Sequence, residues 1–329
     1  MRSRGLSASV ALLLTLASQP LPGQSQGPKP AAAPRYALTQ LPLYPTGIND
    51  SGQVSGTSGS FHAALWTKQG GLREISLPAG FTRAEGLGIN QKGELIGVAI
   101  SALSNQRQGF EFADGKLTLL SGRQSKPFGI NDAGQIAGET ILGNDGISGA
   151  VLWDGDVVMD LGGCCGGTAI AVNNHGEAIA NIYDRQGQYQ AFVWTQKDGL
   201  QHIAPSGSFS SALLINDAGH VVIEPFSKSI LLFEDGKFTK LELSPKYPSR
   251  PRAINNANVI VGSAGPFADS DHAFIWDKEH GYRDLNDLIA PGSGWVLRAA
   301  SAINEKGEIV GWGDLRGEEN VGFLLTPLP

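Results

Sequence analysis

Cysteine is almost absent from this sequence: there are two in 329 residues, adjacent at Cys164 and Cys165. That excludes a small disulfide scaffold and a four-thiolate zinc site. In an oxidising compartment the pair reads as a vicinal disulfide, a strained ring that Gly162, Gly163, Gly166 and Gly167 would permit. Two free thiols and an intermolecular link are the rival readings. Charge is scarce too. Charged residues make up 17% of the chain and the formal net charge is -6, so the strongly basic surface of a general nucleic-acid binder is missing. Recognised catalytic signatures are also lacking. There is no Gly-x-Ser-x-Gly elbow, no His-Glu-x-x-His helix and no phosphate-binding glycine loop. The six histidines are scattered at 62, 175, 202, 220, 272 and 280. No catalytic residue, metal or cofactor is assigned on this basis.

Long apolar runs are missing apart from Leu6 to Ala17, which is shorter than the roughly 20 residues needed to cross a bilayer. Arg2 and Arg4 precede that run and a small-x-small site ends it, so residues 1–20 read as a secretory signal peptide. Residues 21–34, rich in Pro, Gln, Gly and Ala, read as a disordered linker, and 35–329 as one domain. The expected product is a monomeric protein without a membrane span, exported to the periplasm or the exterior.

What the chain does have is repetition. A small residue, an aliphatic residue, Asn, a polar pair, Gly, a polar residue and an aliphatic residue recur, first as Gly47-Ile48-Asn49-Asp50-Ser51-Gly52-Gln53-Val54. The repeated Asn falls at 49, 90, 131, 173, 216, 255 and 304, at intervals of 41, 41, 42, 43, 39 and 49 residues. A period of this size signals stacked or circular supersecondary units. Three residues after each Asn stands Gly52, Gly93, Gly134, Gly176, Gly219, Asn258 or Gly307. Gly first and Asn second is the preference of a left-handed position, so the motif predicts a type I turn with a bulge closing a hairpin. The Asn-Asp pairs suggest calcium, but no unit carries the acid-rich loop such a site needs.

Each unit divides into four strand-like pieces. The aliphatic run before the Asn is followed by an alternating run such as Glu308-Ile309-Val310-Gly311. A third piece ends in Trp66, Phe112, Trp153, Trp194, Phe233 or Trp276, and a short fourth follows, such as Leu72 to Leu77 or Tyr282 to Leu288. One large aromatic per unit is expected to fill the gap between neighbouring sheets, with sugar stacking as the alternative. The seventh unit lacks its fourth piece, whereas Tyr36 to Leu41 resembles a fourth piece with no unit before it. The prediction is an all-β, seven-bladed β-propeller, closed by an N-terminal strand completing the last blade. An open parallel β-helix is the rival.

The residues also resemble a known family. Gly-Ile-Asn-Asp-x-Gly-Gln-Val/Ile at 47–54 and 129–136, His-Ala-Phe-Ile-Trp at 272–276 and Leu161-Gly162-Gly163 are similar to the HAF family of extracellular repeats. His-Ala persists only at 62 and 272, and the fifth and seventh units diverge most. The resemblance implies export and repetition, and it carries no catalytic residues over.

In this arrangement the loops from the fourth piece to the next first piece lead to the central channel. They hold Arg83, Arg123, Lys126, Lys246, Arg250, Arg252 and Arg298 against the single acid Glu85. The outer loops on the same face are acidic, with Asp145, Asp269, Asp271, Glu318 and Glu319. Variable loops on a rigid scaffold are where binding resides. The expectation is a binding or scaffold module whose basic mouth takes an anionic glycan or cell-surface component, with Tyr247 and Trp295 as stacking partners. The opposing reading makes those charges an ordinary wet surface. A carbohydrate-active lyase or hydrolase acting on acidic polysaccharide and a purely structural surface protein are the other functional readings.

Overall fold

The structure, a computed structural model, describes residues 35–103, 106–163, 165–205, 209–225, 229–266 and 270–329. The expected signal peptide, the linker and Cys164 lie outside the described residues. Seven four-stranded antiparallel sheets form the blades. Blade 1 is Leu43–Ile48, Val54–Ser58, Ala63–Thr67 and Gly71–Glu74. The innermost strands of blades 2 to 7 are Phe81–Ile89, Arg123–Ile130, Gly167–Val172, Ser210–Ile215, Ser249–Ile254 and Trp295–Ile303. In blade 7 the fourth strand is Tyr36–Leu41, paired antiparallel to Glu318–Pro327 with Leu38 opposite Leu325. The ring is therefore closed as the split seventh unit predicts. Fourth-strand boundaries differ: in blade 1 the strand is Gly71–Glu74 and stops three residues short of Leu77. In blade 6 the fourth strand is Gly281–Asp284, and Leu285–Leu288 turns into a 3-10 helix capped by Asp284. Leu285 and Leu288 are buried there, and a helical turn lets both reach the core where a straight strand would expose one of them.

The core is a set of wedges between successive blades. Trp153 of blade 3 packs on Ile96 and Leu120 of blade 2, Phe112 of blade 2 on Ala63 and Ile75 of blade 1, and Phe233 of blade 5 on Ile179 of blade 4. At the seam Leu41, Leu43 and Trp66 meet Val310 and Leu324. The once-per-unit aromatic thus fills the inter-blade gap.

Around the axis the repeated Asn does more than shape a turn. Asn49 Oδ1 accepts the N–H of Ser51 and of Gln53, and its Nδ2 donates to the Gln53 side chain and, at 3.0 Å, to the carbonyl of Asn90 in the next blade. Asn90 donates likewise to Asn131 (2.9 Å), Asn131 to Asn173 (2.9 Å) and Asn173 to Asn216 (3.1 Å). Asn216 then donates to Asn255 (3.1 Å), Asn255 to Asn304 (3.3 Å), and Asn304 back to Asn49 (3.0 Å). All seven Asn residues are buried, so each amide needs these partners: an orphaned one would cost about 1–3 kcal/mol. The following residue builds a second, exposed ring. Asp50 N donates to Gln91 Oε1, Gln91 N to Asp132, and so on to Glu305 N, which donates to Asp50.

Candidate functional site

Every innermost strand carries a β-bulge at one place, three residues before its ring Asn. The skipped residues are Thr46, Leu87, Phe128, Ile170, Leu213, Arg252 and Ser301. A bulge re-aims the side chain it carries. Here it turns one residue per blade towards the axis, and six of them, all but Phe128, line a central cavity of about 640 Å³. Close backbone approach makes the local chemistry strict. In blade 3 a Cβ on Gly138, opposite the strand just before the bulge, would lie 2.3 Å from the Lys126 carbonyl and 2.7 Å from the Trp153 ring.

Among the bulge residues Arg252 alone is charged. No ion-pair partner is found for it among the described residues. The cavity wall beside it holds Tyr44 and Trp312, whose rings stack with centroids 6.0 Å apart, and across from them Asn181, Tyr189 and Glu224. Burial pushes the Tyr44 hydroxyl pKa up, with Arg252 partly offsetting it. Tyr189, whose ring lies 4.0 Å from that of Tyr183, has its pKa pushed up to about 12 by its hydrogen bond with Tyr183 and then by burial. Both phenols are neutral at neutral pH.

The other sequence-predicted residues stand on the same face but are otherwise engaged. Arg250 pairs with the buried Asp271 at 2.6 Å and Arg298 with Asp314 at 2.6 Å. Arg83 lies over Phe61, Lys126 over Phe128 and Lys246 over Tyr247 at 4.5, 4.7 and 4.8 Å. Arg123 donates to the Gly143 carbonyl. Trp295 packs edge-on against Phe323. Of the nine, the cavity collects Arg252. The aromatic surfaces it offers, Tyr44, Trp312 and Tyr189, escaped sequence reasoning because each lies inside a strand. The available signal was register: Tyr44 and Arg252 sit two residues before and at the position three before a ring Asn. His62 and His272, which share a position in the third strand, each face a fourth-strand acid, Glu74 at 3.7 Å and Asp284 at 2.6 Å. They are cross-strand partners. Among the described residues no group of three or more His, Cys, Asp or Glu is placed to hold a metal, and no helix is long and apolar enough to cross a membrane.

No family model and no curated protein matches the chain. Solved propellers do. The β-propeller domain of the Trilobed protease from Pyrococcus furiosus, described as having an open velcro topology, aligns with a TM-score of 0.58 at 11% identity, over 86% of this chain and 95% of that one. The WD40 propeller domain of Doa1 aligns at 0.53 and 14% identity, covering 89% and 96%. An acylaminoacyl peptidase from Pyrococcus horikoshii aligns at 0.51 and 10% identity over 72% of this chain, which spans 44% of that protein. At such identities the likeness is one of fold.

Proposed function

We propose that this protein is an exported binding module that holds an anionic glycan at the channel mouth, with Arg252 as its anchor. The observation carrying the proposal is the bulge that turns the one charged residue of the seven into a 640 Å³ cavity, unpaired and beside a stacked Tyr44–Trp312 surface. An unpaired guanidinium at the mouth of a channel raises the local positive potential and so draws in a carboxylate or sulfate. The aromatic pair offers the flat apolar face that a sugar ring covers. The resemblance to HAF repeats and the basic, apolar start of the chain support export.

The test is retention of uronate-containing oligosaccharides on immobilised protein, with their chain length measured before and after. Ligand should be retained and recovered at its original length. Arg252→Ala should weaken retention about tenfold or more, the worth of a charge-assisted hydrogen bond. Arg250→Ala should weaken it far less, because Arg250 is already engaged by Asp271. Unchanged binding by Arg252→Ala overturns the proposal, and shortened ligand makes the protein an enzyme.

A further inference from the structure

The central cavity does not end at the axis. A lateral cleft of about 560 Å³ opens between blades 4 and 5, lined by Gln188, Tyr189, Phe209, Ser211, Glu224 and Pro225 among others, and its wall is mainly apolar. Tyr189, Ser211 and Glu224 belong to both walls, so the two spaces meet at these residues. Among the described residues the cleft thus has two aromatic rings, Tyr189 and Phe209, and a single carboxylate.

The position of Glu224 in the repeat gives it significance. In the second strand of each blade, the residue one step beyond the pairing that precedes the bulge is Thr57, Val98, Glu139, Asn181, Glu224, Ser263 or Trp312. Four of these reach the next blade. Thr57 Oγ1 accepts from Gly86 N at 3.3 Å, Glu139 accepts from Thr168 Oγ1 at 2.6 Å, Asn181 exchanges two hydrogen bonds with Ala212, and Trp312 stacks on Tyr44. Glu224 has no such partner among the described residues, nor does Ser263 Oγ, its equivalent in blade 6. This polar or aromatic bridging therefore lapses in blade 2, where the position is the apolar Val98, and in blades 5 and 6, where it is polar. There Glu224 and Arg252 share one cavity without pairing with each other.

We infer that this is a two-part site for a zwitterionic glycan, an acidic sugar joined to a sugar with a free amine. The acidic group sits at Arg252, and the ammonium sits at Glu224 against the faces of Tyr189 and Phe209. The inference rests on the binding role proposed above and sharpens its ligand. An uncompensated carboxylate in the wall repels a uniformly anionic polymer, whereas carboxylate and aromatic faces together favour a cation.

Three disaccharide probes decide it by titration calorimetry at pH 6.5: a uronate joined to a free-amine hexosamine, the same compound N-acetylated, and a sulfated uronate without an amine. The native protein should bind the free-amine compound at least about tenfold more tightly than the N-acetylated one. Glu224→Gln, which preserves shape and removes charge, should abolish that preference while keeping affinity for the N-acetylated probe. Arg252→Ala should weaken all three. Equal affinity of the native protein for the amine and its acetylated form, or a preference that survives Glu224→Gln, overturns the zwitterion reading and leaves the anionic one standing. Indifference of all three probes to Arg252→Ala, or no binding of any probe, overturns both.

Discussion

Glu305 stands in the exposed ring beside the axis, where its carboxylate accepts the N–H of Asn256 at 3.0 and 3.2 Å. Partial burial raises its pKa, and the nearby Asp50 and Asp217 charges raise it further, against the lowering effect of that hydrogen bond. The same place in blade 2 is filled by Gln91, whose amide oxygen accepts Asp50 N at 2.8 Å, so charge is not needed for the contact. A carboxyl whose folded pKa is raised binds its proton more readily folded than unfolded. The native protein therefore loses stability as pH rises from the unfolded carboxyl value through the folded one. Glu305→Gln removes that loss. It should raise the stability at pH 7 by a small amount, ~0.3 kcal/mol after solvent screening, read as a slightly higher urea midpoint, and the gain should vanish as the medium is acidified. A gain that persists in acid would show that ionisation of Glu305 is not its cause. At this scale the sequence was only half legible. The turn showed through Gly at the left-handed position, with φ of 74° at Gly52 and 89° at Gly134. The bond from each Asn to the next blade did not, because its partner is a backbone carbonyl some forty residues away that no local pattern announces.

The turn of blade 6 is the exception that tests the element. Asn258 takes the left-handed position with φ 59°, where its six counterparts are glycine. Propensity alone recommends Asn258→Gly. Yet Asn258 Oδ1 accepts from Asn216 Nδ2 at 2.9 Å and lies 3.0 Å from His220 Nδ1. In most blades the ring amide finds that second acceptor in its own turn, as Asn131 does in Gln135. In blade 5 the corresponding residue is His220, and the next blade supplies the oxygen. Asn258→Gly should therefore destabilise by about 1 kcal/mol, the worth of a hydrogen bond left unmade, lowering Tm by roughly 2 °C in a chain of this size. An unchanged or higher Tm would make Asn258 a turn residue only. The bulges belong to this scale as well. They kept Arg252 indistinguishable in the sequence from Arg250, since both read as basic residues of one loop and strand. A two-residue spacing would put both side chains on one side of a regular strand; the bulge sends one to Asp271 and the other to the channel.

For the whole molecule, the position of the break in the ring matters more than the number of blades. Period and split unit made circular closure readable, because a missing fourth strand at one end and a surplus one at the other have a single geometric solution. The break lies inside blade 7, between Glu318–Pro327 and Tyr36–Leu41, where six residue pairs of ladder hold the sheet together, Leu328 N donates to Arg35 O at 2.8 Å and Arg35 N to Leu288 O at 2.9 Å. The chain itself then crosses the seam between blades 7 and 1 through Pro42. A circular permutant starting at Leu43, with Pro329 joined to Arg35 by a short turn, would make blade 7 continuous and move the break to that seam. Side-chain packing of Leu41, Leu43, Trp66, Val310 and Leu324, the stacking of Trp312 on Tyr44, and the bonds from Asn304 to Asn49 and Glu305 to Asp50 would then close the circle there without a covalent crossing. Losing the covalent crossing restores freedom to the open ring, and the permutant should be less stable by on the order of 2 kcal/mol, with unchanged strand content by circular dichroism. Amide exchange should quicken first in blades 1 and 7. Equal stability, or exchange rising evenly around the ring, would show that inter-blade packing alone seals it.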